Sequence, residues 1–130
     1  MKHSTMLAGC LLLAMIGGCV QSPNNARNDP FVPAQIQISD DDLRRQTAFA
    51  QPLVSRDAAG LLFVTVPVRA ATDLTLYVDY RTTFFDRTGR PIQQTAWLHK
   101  TLYPKVFDHI QINSVSPDAA DFEMDLRYAR

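Results

Sequence analysis

Apolar and polar residues alternate with a period of two over much of the chain, which is the pattern of half-buried β-strands. Residues 62–69 alternate in this way, and in Asp121–Tyr128 the apolar positions are separated by charged ones. Four shorter segments have the same strand character, at residues 35–38, 51–55, 92–98 and 106–113. With short turns and little helix between them, these segments predict an all-β fold, an antiparallel immunoglobulin-like β-sandwich of about six to seven strands.

The longest predicted strand, residues 74–86, carries aromatic residues on both of its faces. One face is a candidate interaction surface, with Tyr77, Asp79, Arg81 and Phe85. Exposed aromatics beside an arginine anchor many interfaces, but alternation does not decide whether this face is exposed or packs against the second sheet. A further alternative is a structural charge cluster of nearby aspartates with Arg69, Arg81 and Arg127. Because thirteen residues exceed the usual strand length, we expect a bend or bulge around residues 80–82.

Two local motifs predict a turn and a helix. The stretch FFDRTGRPI fits a hairpin connection, in which Asp86 opens a type I turn and Gly89 closes it with a glycine bulge. The stretch ISDDDLRRQ fits one short helix, with Ser39 as its cap, acids in its first turn and arginines near its end. The three adjacent aspartates are interpreted as this helix start and not as a calcium loop, because no EF-hand spacing follows them.

The amino-terminal residues 1–18 have the composition of a secretory signal peptide. A lysine supplies the positive end, residues 6–16 form a short apolar stretch, and two glycines precede the predicted cleavage site. The apolar stretch is shorter than the roughly 20 residues that a helix needs to span a bilayer. Residues 19–33 are then rich in Asn, Pro and Ser, as in a flexible linker, and residues 34–130 form the predicted domain.

The junction of signal peptide and linker resembles the lipobox of bacterial lipoproteins. Its motif is IGGC, and the resemblance implies cleavage before Cys19 and lipid attachment to that cysteine. An earlier match ends at Cys10, but too few residues precede it to form an apolar stretch. In enteric-type sorting Val20 after the cysteine implies the outer membrane, so the domain would be lipid-anchored and face the periplasm. The alternative is an ordinary signal peptide in which Cys19 is only a small apolar residue.

Charge and reactive residues restrict the function classes. Thirteen basic and thirteen acidic residues give a formal net charge of zero without a basic run, which argues against nucleic-acid binding. His99 and His109 lack the neighbouring ligands of a zinc site, and neither Ser114 nor Ser116 is framed by a nucleophile-elbow motif. We therefore expect no metal, no cofactor and no catalytic residues.

A second resemblance is carried by YRTTFFDRTGRPI, which starts at Tyr80, with VPVRAATDLTL before it and SPDAADFEMDLR near the C-terminus. These motifs resemble the YcfL-like family of small, uncharacterised bacterial envelope lipoproteins over about residues 61–127. Relatives more often have an aromatic residue where this chain has Thr82, and Trp where it has Phe84. The resemblance implies a β-sandwich domain without an established enzymatic activity and, by association, a role in envelope maintenance.

Two functional hypotheses of different classes follow. The first is a noncatalytic, lipid-anchored binding or interaction module, whose partner is another envelope protein or a peptidoglycan component. The second is a hydrolase or ligand-binding protein that acts on cell-wall fragments or sugars, and it requires a concave site with perturbed acids or histidines. The first is favoured because no group of residues in the sequence meets the geometric minimum for catalysis.

Substitution of the proposed lipid-bearing residue tests the anchor. We expect Cys19→Ala to abolish incorporation of radiolabelled palmitate and to cause accumulation of uncut precursor, because the lipidated thiol would be lost. Both effects are measured by gel electrophoresis of labelled cells. Unchanged labelling would point to Cys10, and absence of labelling in the wild type as well would point to a chain without lipid.

Overall fold

Residues 32–130 form two β-sheets that pack face to face around one apolar core in the computed structural model. The predicted signal peptide, Cys19 and most of the predicted linker fall at residues 1–31 and lie outside the described residues. The strands and the one helix of the described region confirm the predicted all-β sandwich with a short helix.

Nine strands and one helix follow one another between residues 32 and 130. In chain order they are β1 (Ile36–Ile38), α1 (Asp41–Gln46), β2 (Thr47–Phe49), β3 (Leu53–Arg56), β4 (Leu62–Ala70), β5 (Leu76–Phe85), β6 (Pro91–Gln94), β7 (Leu98–Leu102), β8 (Asp108–Asn113) and β9 (Asp121–Tyr128). The number exceeds the predicted six or seven for two reasons. The predicted strand 92–98 corresponds to β6, whereas β7 begins only at Leu98 and continues through residues for which the sequence predicts no strand. The short β2, which directly follows the helix, is also not predicted.

The five-stranded sheet has the order β1-β9-β5, and the other edge of β5 pairs with β7 and then with β6. The four-stranded sheet is built around β4, which pairs with β8 along one edge and with β2 and β3 along the other. All of these pairings are antiparallel except that of β1 with β9, which is parallel. Helix α1 connects β1 of the five-stranded sheet to β2 of the four-stranded sheet.

The core lies between the sheets and is formed by every second residue of the long strands. The buried positions of β4 are Leu62, Val64, Val66, Val68 and Ala70. The buried positions of β5 are Leu76, Val78, Thr82 and Phe84. Because neighbouring residues of a strand point to opposite sides, the candidate interaction face of β5 is directed away from the four-stranded sheet.

Helix α1 begins at a different cap from the predicted one. Asp40, and not Ser39, is the cap, because its Oδ1 accepts hydrogen bonds from the backbone N–H groups of Asp42 and Leu43 at 2.9 and 3.0 Å. These amides belong to the first turn, where a helix has no internal acceptor for them. A carboxylate also complements the positive end of the helix dipole better than a hydroxyl does.

The predicted hairpin turn between β5 and β6 is confirmed. Asp86 Oδ1 accepts the backbone N–H groups of Thr88 and Arg90 at 2.8 and 3.1 Å. The Thr88 side chain and the Arg90 backbone hold the pKa of the Asp86 carboxyl below its ordinary value. Gly89 has a φ of 80°, a conformation that glycine adopts without a steric penalty.

The irregularity expected at residues 80–82 is found in the neighbours of β5 and not in β5 itself. The ladder of β5 with β9 is continuous. Along the other edge, pairing with β7 ends at Tyr80 and pairing with β6 begins at Thr83. The partners of these two residues, Leu98 and Gln94, are separated by three residues, so three residues lie opposite two. The extra residue forms a β-bulge in the segment that connects β6 and β7.

Truncation of the two adjacent phenylalanines of β5 tests which face is buried. We expect Phe84→Ala to lower the free energy of unfolding by about 3–5 kcal/mol, because its fully buried ring would leave a cavity. Phe85→Ala should have a clearly smaller effect, because that ring is only half-buried. Urea unfolding followed by circular dichroism measures both values, and equal losses would contradict the assignment of the faces.

Candidate functional site

Trp97 lies on the outer face of the five-stranded sheet because of the extra residue between β6 and β7. Thr95 maintains the hydrogen bonding there, since its Oγ1 accepts the Thr82 N–H at 3.0 Å and its own N–H is donated to the Thr82 carbonyl at 2.9 Å. A bulge changes the alternation and re-aims a side chain. The Trp97 ring consequently stacks on the guanidinium groups of Arg81 and Arg127, whose central carbons lie 4.6 and 3.7 Å from the ring centroid.

Four charged residues next to this ring form two ion pairs between β5 and β9. The register places Arg81 opposite Asp125 and Asp79 opposite Arg127, so charges of opposite sign face each other on adjacent strands. Arg81 Nε and Nη2 both donate to Asp125 Oδ2, at 3.3 and 2.9 Å. Arg127 Nη2 lies 3.7 Å from Asp79 Oδ2. The four side chains are between 13% and 34% exposed, so the pairs are partly shielded from water.

Asp79 is the centre of this charged network. Its Oδ1 contacts His99 Nδ1 at 3.2 Å, and its Oδ2 accepts the backbone N–H of Arg130 at 3.3 Å. Desolvation acts to raise the pKa of the Asp79 carboxyl, but the hydrogen bonds from His99 and Arg130 and the charge of Arg127 outweigh it. The pKa is held below the ordinary value of 3.8. Asp79 is therefore ionised at neutral pH.

A groove of about 380 Å³ opens beside Trp97 on this face. Its lining includes Gln37, Arg81, Trp97, Asp125, Arg127 and Arg130. The volume falls in the range of about 300–1,000 Å³ that is typical of small-molecule sites. The groove combines an aromatic ring with both donors and acceptors of hydrogen bonds, so its chemistry is that of a site for a polar ligand with an apolar face.

The structure brings three of the four predicted surface residues together and separates the fourth. Tyr77, Asp79 and Arg81 follow one another on the outer face of β5. Tyr77 stacks on His99 with a distance of 6.2 Å between ring centroids. His99 in turn contacts Asp79, so Tyr77 is linked to the charged network although it is four residues from Arg81. Phe85, four residues from Arg81 in the other direction, lies at the end of β5 that leads into the hairpin turn. It stands apart from the groove.

Trp97 and Arg127 belong to the site but are not among the predicted surface residues. Arg127 has a signal in the sequence, because the alternation of β9 places it outward. Arg81 and Arg127 do form a charge cluster with two aspartates, whereas Arg69 belongs to the other sheet and stacks on Phe107 at 5.1 Å. Trp97 has no such signal, because its outward position depends on a bulge that alternation does not reveal.

The other candidate catalytic and metal-binding residues do not lie together within the described part of the chain. Ser114 is buried, and its Oγ donates to the Ser116 carbonyl at 2.8 Å and accepts the Leu62 N–H at 2.9 Å. His109 is five residues from Ser114, roughly 17 Å along the chain. Between residues 32 and 130 no three His, Cys, Asp or Glu side chains are grouped closely enough to hold a metal ion. The same region contains no helix with the length and apolar character that a membrane crossing requires.

Two solved structures of bacterial proteins are similar to this chain in fold. Campylobacter jejuni cj0090 is 13% identical with a TM-score of 0.63, and the match covers 73% of this chain and 98% of that one. A DUF1425 family member from Shewanella sp. pv-4 is 17% identical with a TM-score of 0.56, and the match covers 65% and 77%. No protein-family model and no curated protein matches the sequence. At these identities the likeness concerns the fold.

The lowered pKa of Asp79 predicts a pH-dependent contribution to stability. Ionised Asp79 stabilises the fold above its ordinary pKa of 3.8, and this contribution is lost as the pH falls through the lower pKa of the folded state. We expect the melting temperature of Asp79→Asn to be below that of the wild type at pH 7 and the difference to shrink below about pH 4. Asp118→Asn, at an exposed loop position, is the control for loss of a carboxyl. A difference that is constant between pH 7 and pH 3 would contradict the role of Asp79.

Proposed function

We propose that this chain is a lipid-anchored lipoprotein of the outer membrane whose β-sandwich faces the periplasm and binds another envelope component without catalysis. The observation that carries the binding role is the outer face of the five-stranded sheet, where Trp97 stacks on two arginines aligned by ion pairs. Arginine and aromatic residues are enriched at the positions that dominate binding energy in interfaces. Tyr77, which is 59% exposed, extends the same face.

The anchor is supported by the amino-terminal sequence. An apolar stretch of secretory length ends in IGGC, and a polar linker begins directly after Cys19. Each buried methylene of an attached lipid contributes about 0.8 kcal/mol, so two or more chains hold a protein stably at a bilayer. Residues 20–33, fully extended at about 3.3 Å per residue, give the domain a reach on the order of 40 Å from the lipid.

The electrostatics of the outer face favour binding over proton transfer. A general acid or base works best with a pKa near the operating pH, whereas hydrogen bonds and the charge of Arg127 hold the pKa of Asp79 below 3.8. Asp125 accepts two donors of Arg81 on one oxygen, Oδ2. Both carboxylates therefore serve to align the arginines and His99.

Membership of the YcfL-like family is part of this proposal. It is supported by the YRTTFFDRTGRPI motif and by a fold in common with the DUF1425 family member. Most of the motif has a structural explanation: Tyr80 packs against the core, Phe84 is buried, and Asp86 with Gly89 builds the turn. Arg81 is the residue of the motif that reaches the groove.

Photocrosslinking in cells tests the proposed binding face. A photoreactive benzoylphenylalanine at position 77 should give a crosslinked product of defined mass with an envelope component, because Tyr77 is exposed on this face and stacks on His99, which contacts Asp79 of the charged network. The full chain is used so that its own export and anchoring signals operate. Immunoblotting detects the product and mass spectrometry identifies it.

A matched position on the other sheet provides the control. Val54 in β3 is 52% exposed, close to the 59% of Tyr77, but it belongs to the four-stranded sheet. The same reporter at position 54 should give little product. No product from position 77, or equal products from both positions, would contradict a binding role for the outer face of the five-stranded sheet.

A further inference from the structure

Arg127 presents hydrogen-bond donors that the described residues leave without acceptors. Its Nε is buried and has no hydrogen-bond partner between residues 32 and 130, and its Nη2 is 3.7 Å from Asp79 Oδ2, which is too long for a hydrogen bond. The Asp79 oxygens are engaged by His99 and by the backbone of Arg130. Stacking on Trp97 meanwhile holds the guanidinium at the wall of the groove. An arginine that is positioned in this way is suited to bind a carboxylate or another oxyanion.

The groove also contains an acceptor, and this restricts the kind of anion that fits. Arg81 donates only to Oδ2 of Asp125, so Oδ1 of that carboxylate takes no part in the pair. A bare oxyanion bound to Arg127 would be repelled by Asp125 in the same wall. An anion with neighbouring hydroxyl groups can instead accept from Arg127 and donate to Asp125. The charges therefore favour a hydroxylated acid.

Trp97 supplies the aromatic surface on which a ring-shaped ligand can pack. Small-molecule sites combine aromatic walls, on which apolar ligand surfaces pack, with a few polar groups that fix orientation. The groove has this composition, with the indole ring beside three arginines and one aspartate. A sugar ring has an apolar C–H face and polar hydroxyl edges, which matches this division.

We propose that the groove beside Trp97 binds a saccharide that carries a carboxylate. The carboxylate accepts hydrogen bonds from the terminal Nη groups of Arg127, because its Nε is buried. A hydroxyl donates to Asp125, and the sugar ring packs on the part of the half-buried Trp97 that the two arginines leave exposed. Arg130, which also lines the groove, adds positive charge. This inference deepens the proposed function and depends on it for the supply of ligand, because the cell envelope is where an exported domain would meet acidic saccharides.

Tryptophan fluorescence tests the proposal directly, because Trp97 is the single tryptophan of the chain. The purified full chain is titrated with glucuronate and, separately, with glucose, which has a hydroxymethyl group in place of the carboxylate. We expect a saturable change in Trp97 emission with glucuronate and no saturable change with glucose over the same concentrations. No saturable response to glucuronate, or an equal response to glucose, would overturn the proposal.

Arginine variants locate the binding site. Arg127→Gln should weaken glucuronate binding about ten-fold or more, because a hydrogen bond between charged groups is lost. Since Arg127 also holds the indole ring, a second variant, Arg130→Gln, removes an exposed charge at the groove without disturbing that stack. It should also weaken binding. Arg87→Gln removes an exposed arginine from the turn between β5 and β6 and is the matched control, with affinity like that of the wild type. Unchanged affinity in both groove variants, or an equal loss in Arg87→Gln, would overturn the site.

Simple anions separate a saccharide site from a general anion site. Sodium acetate and inorganic phosphate carry an oxyanion without a hydroxylated ring, so we expect them to displace glucuronate only at much higher concentrations. Displacement at equal concentrations would overturn the saccharide assignment. A chain that carries palmitate and crosslinks through position 77, but does not bind glucuronate, would refute this ligand and leave the proposed function standing.

Discussion

The alternation of side chains along β5 is the constraint on which both the core and the candidate site depend. Because successive residues point to opposite faces of the sheet, burial of Val78 and Phe84 directs Asp79 and Arg81 outward. A shift of one residue in register would exchange the two faces and bury the charges, at several kcal/mol for each ion. The packing of the sandwich therefore determines where the charged network lies.

The interactions within the network are too weak to hold the fold, so their importance lies in orientation. Partly exposed ion pairs such as Arg81–Asp125 contribute about 0.2–1 kcal/mol, and a contact between a cation and an aromatic ring contributes about 0.5–2 kcal/mol, depending on how far it is shielded from water. Burial of one large apolar side chain contributes about 1.5–3 kcal/mol. What the network does is to limit the rotamers of Arg81 and Arg127. Fixing such a side chain in advance saves about 0.5–1.5 kcal/mol when a partner binds.

Elements that follow a local rule could be predicted from the sequence, whereas features that depend on pairing could not. Strand β9 has the predicted bounds, because its apolar and charged residues alternate without exception. The buried face of β5 was ambiguous by itself, but Phe84 pairs with Phe122 of β9, whose inward position the pattern does indicate. The position of Trp97 depends on the registers of both β6 and β7 with β5. The bulge between β6 and β7 is recognised only when both strands are paired with β5, so the spacing of residues along the chain does not reveal it.

The modest strength of the proposed binding face is consistent with the proposed anchoring of the domain at a membrane. In the proposed anchored form the linker confines the domain to a layer on the order of 40 Å deep. Confinement by a short flexible linker raises the effective concentration of nearby partners toward the millimolar range. A dissociation constant near 1 mM corresponds to only about −4 kcal/mol. Two aligned arginines and one aromatic ring are sufficient for an interaction of that size, so such an anchored domain needs no large apolar interface to remain bound to its partner.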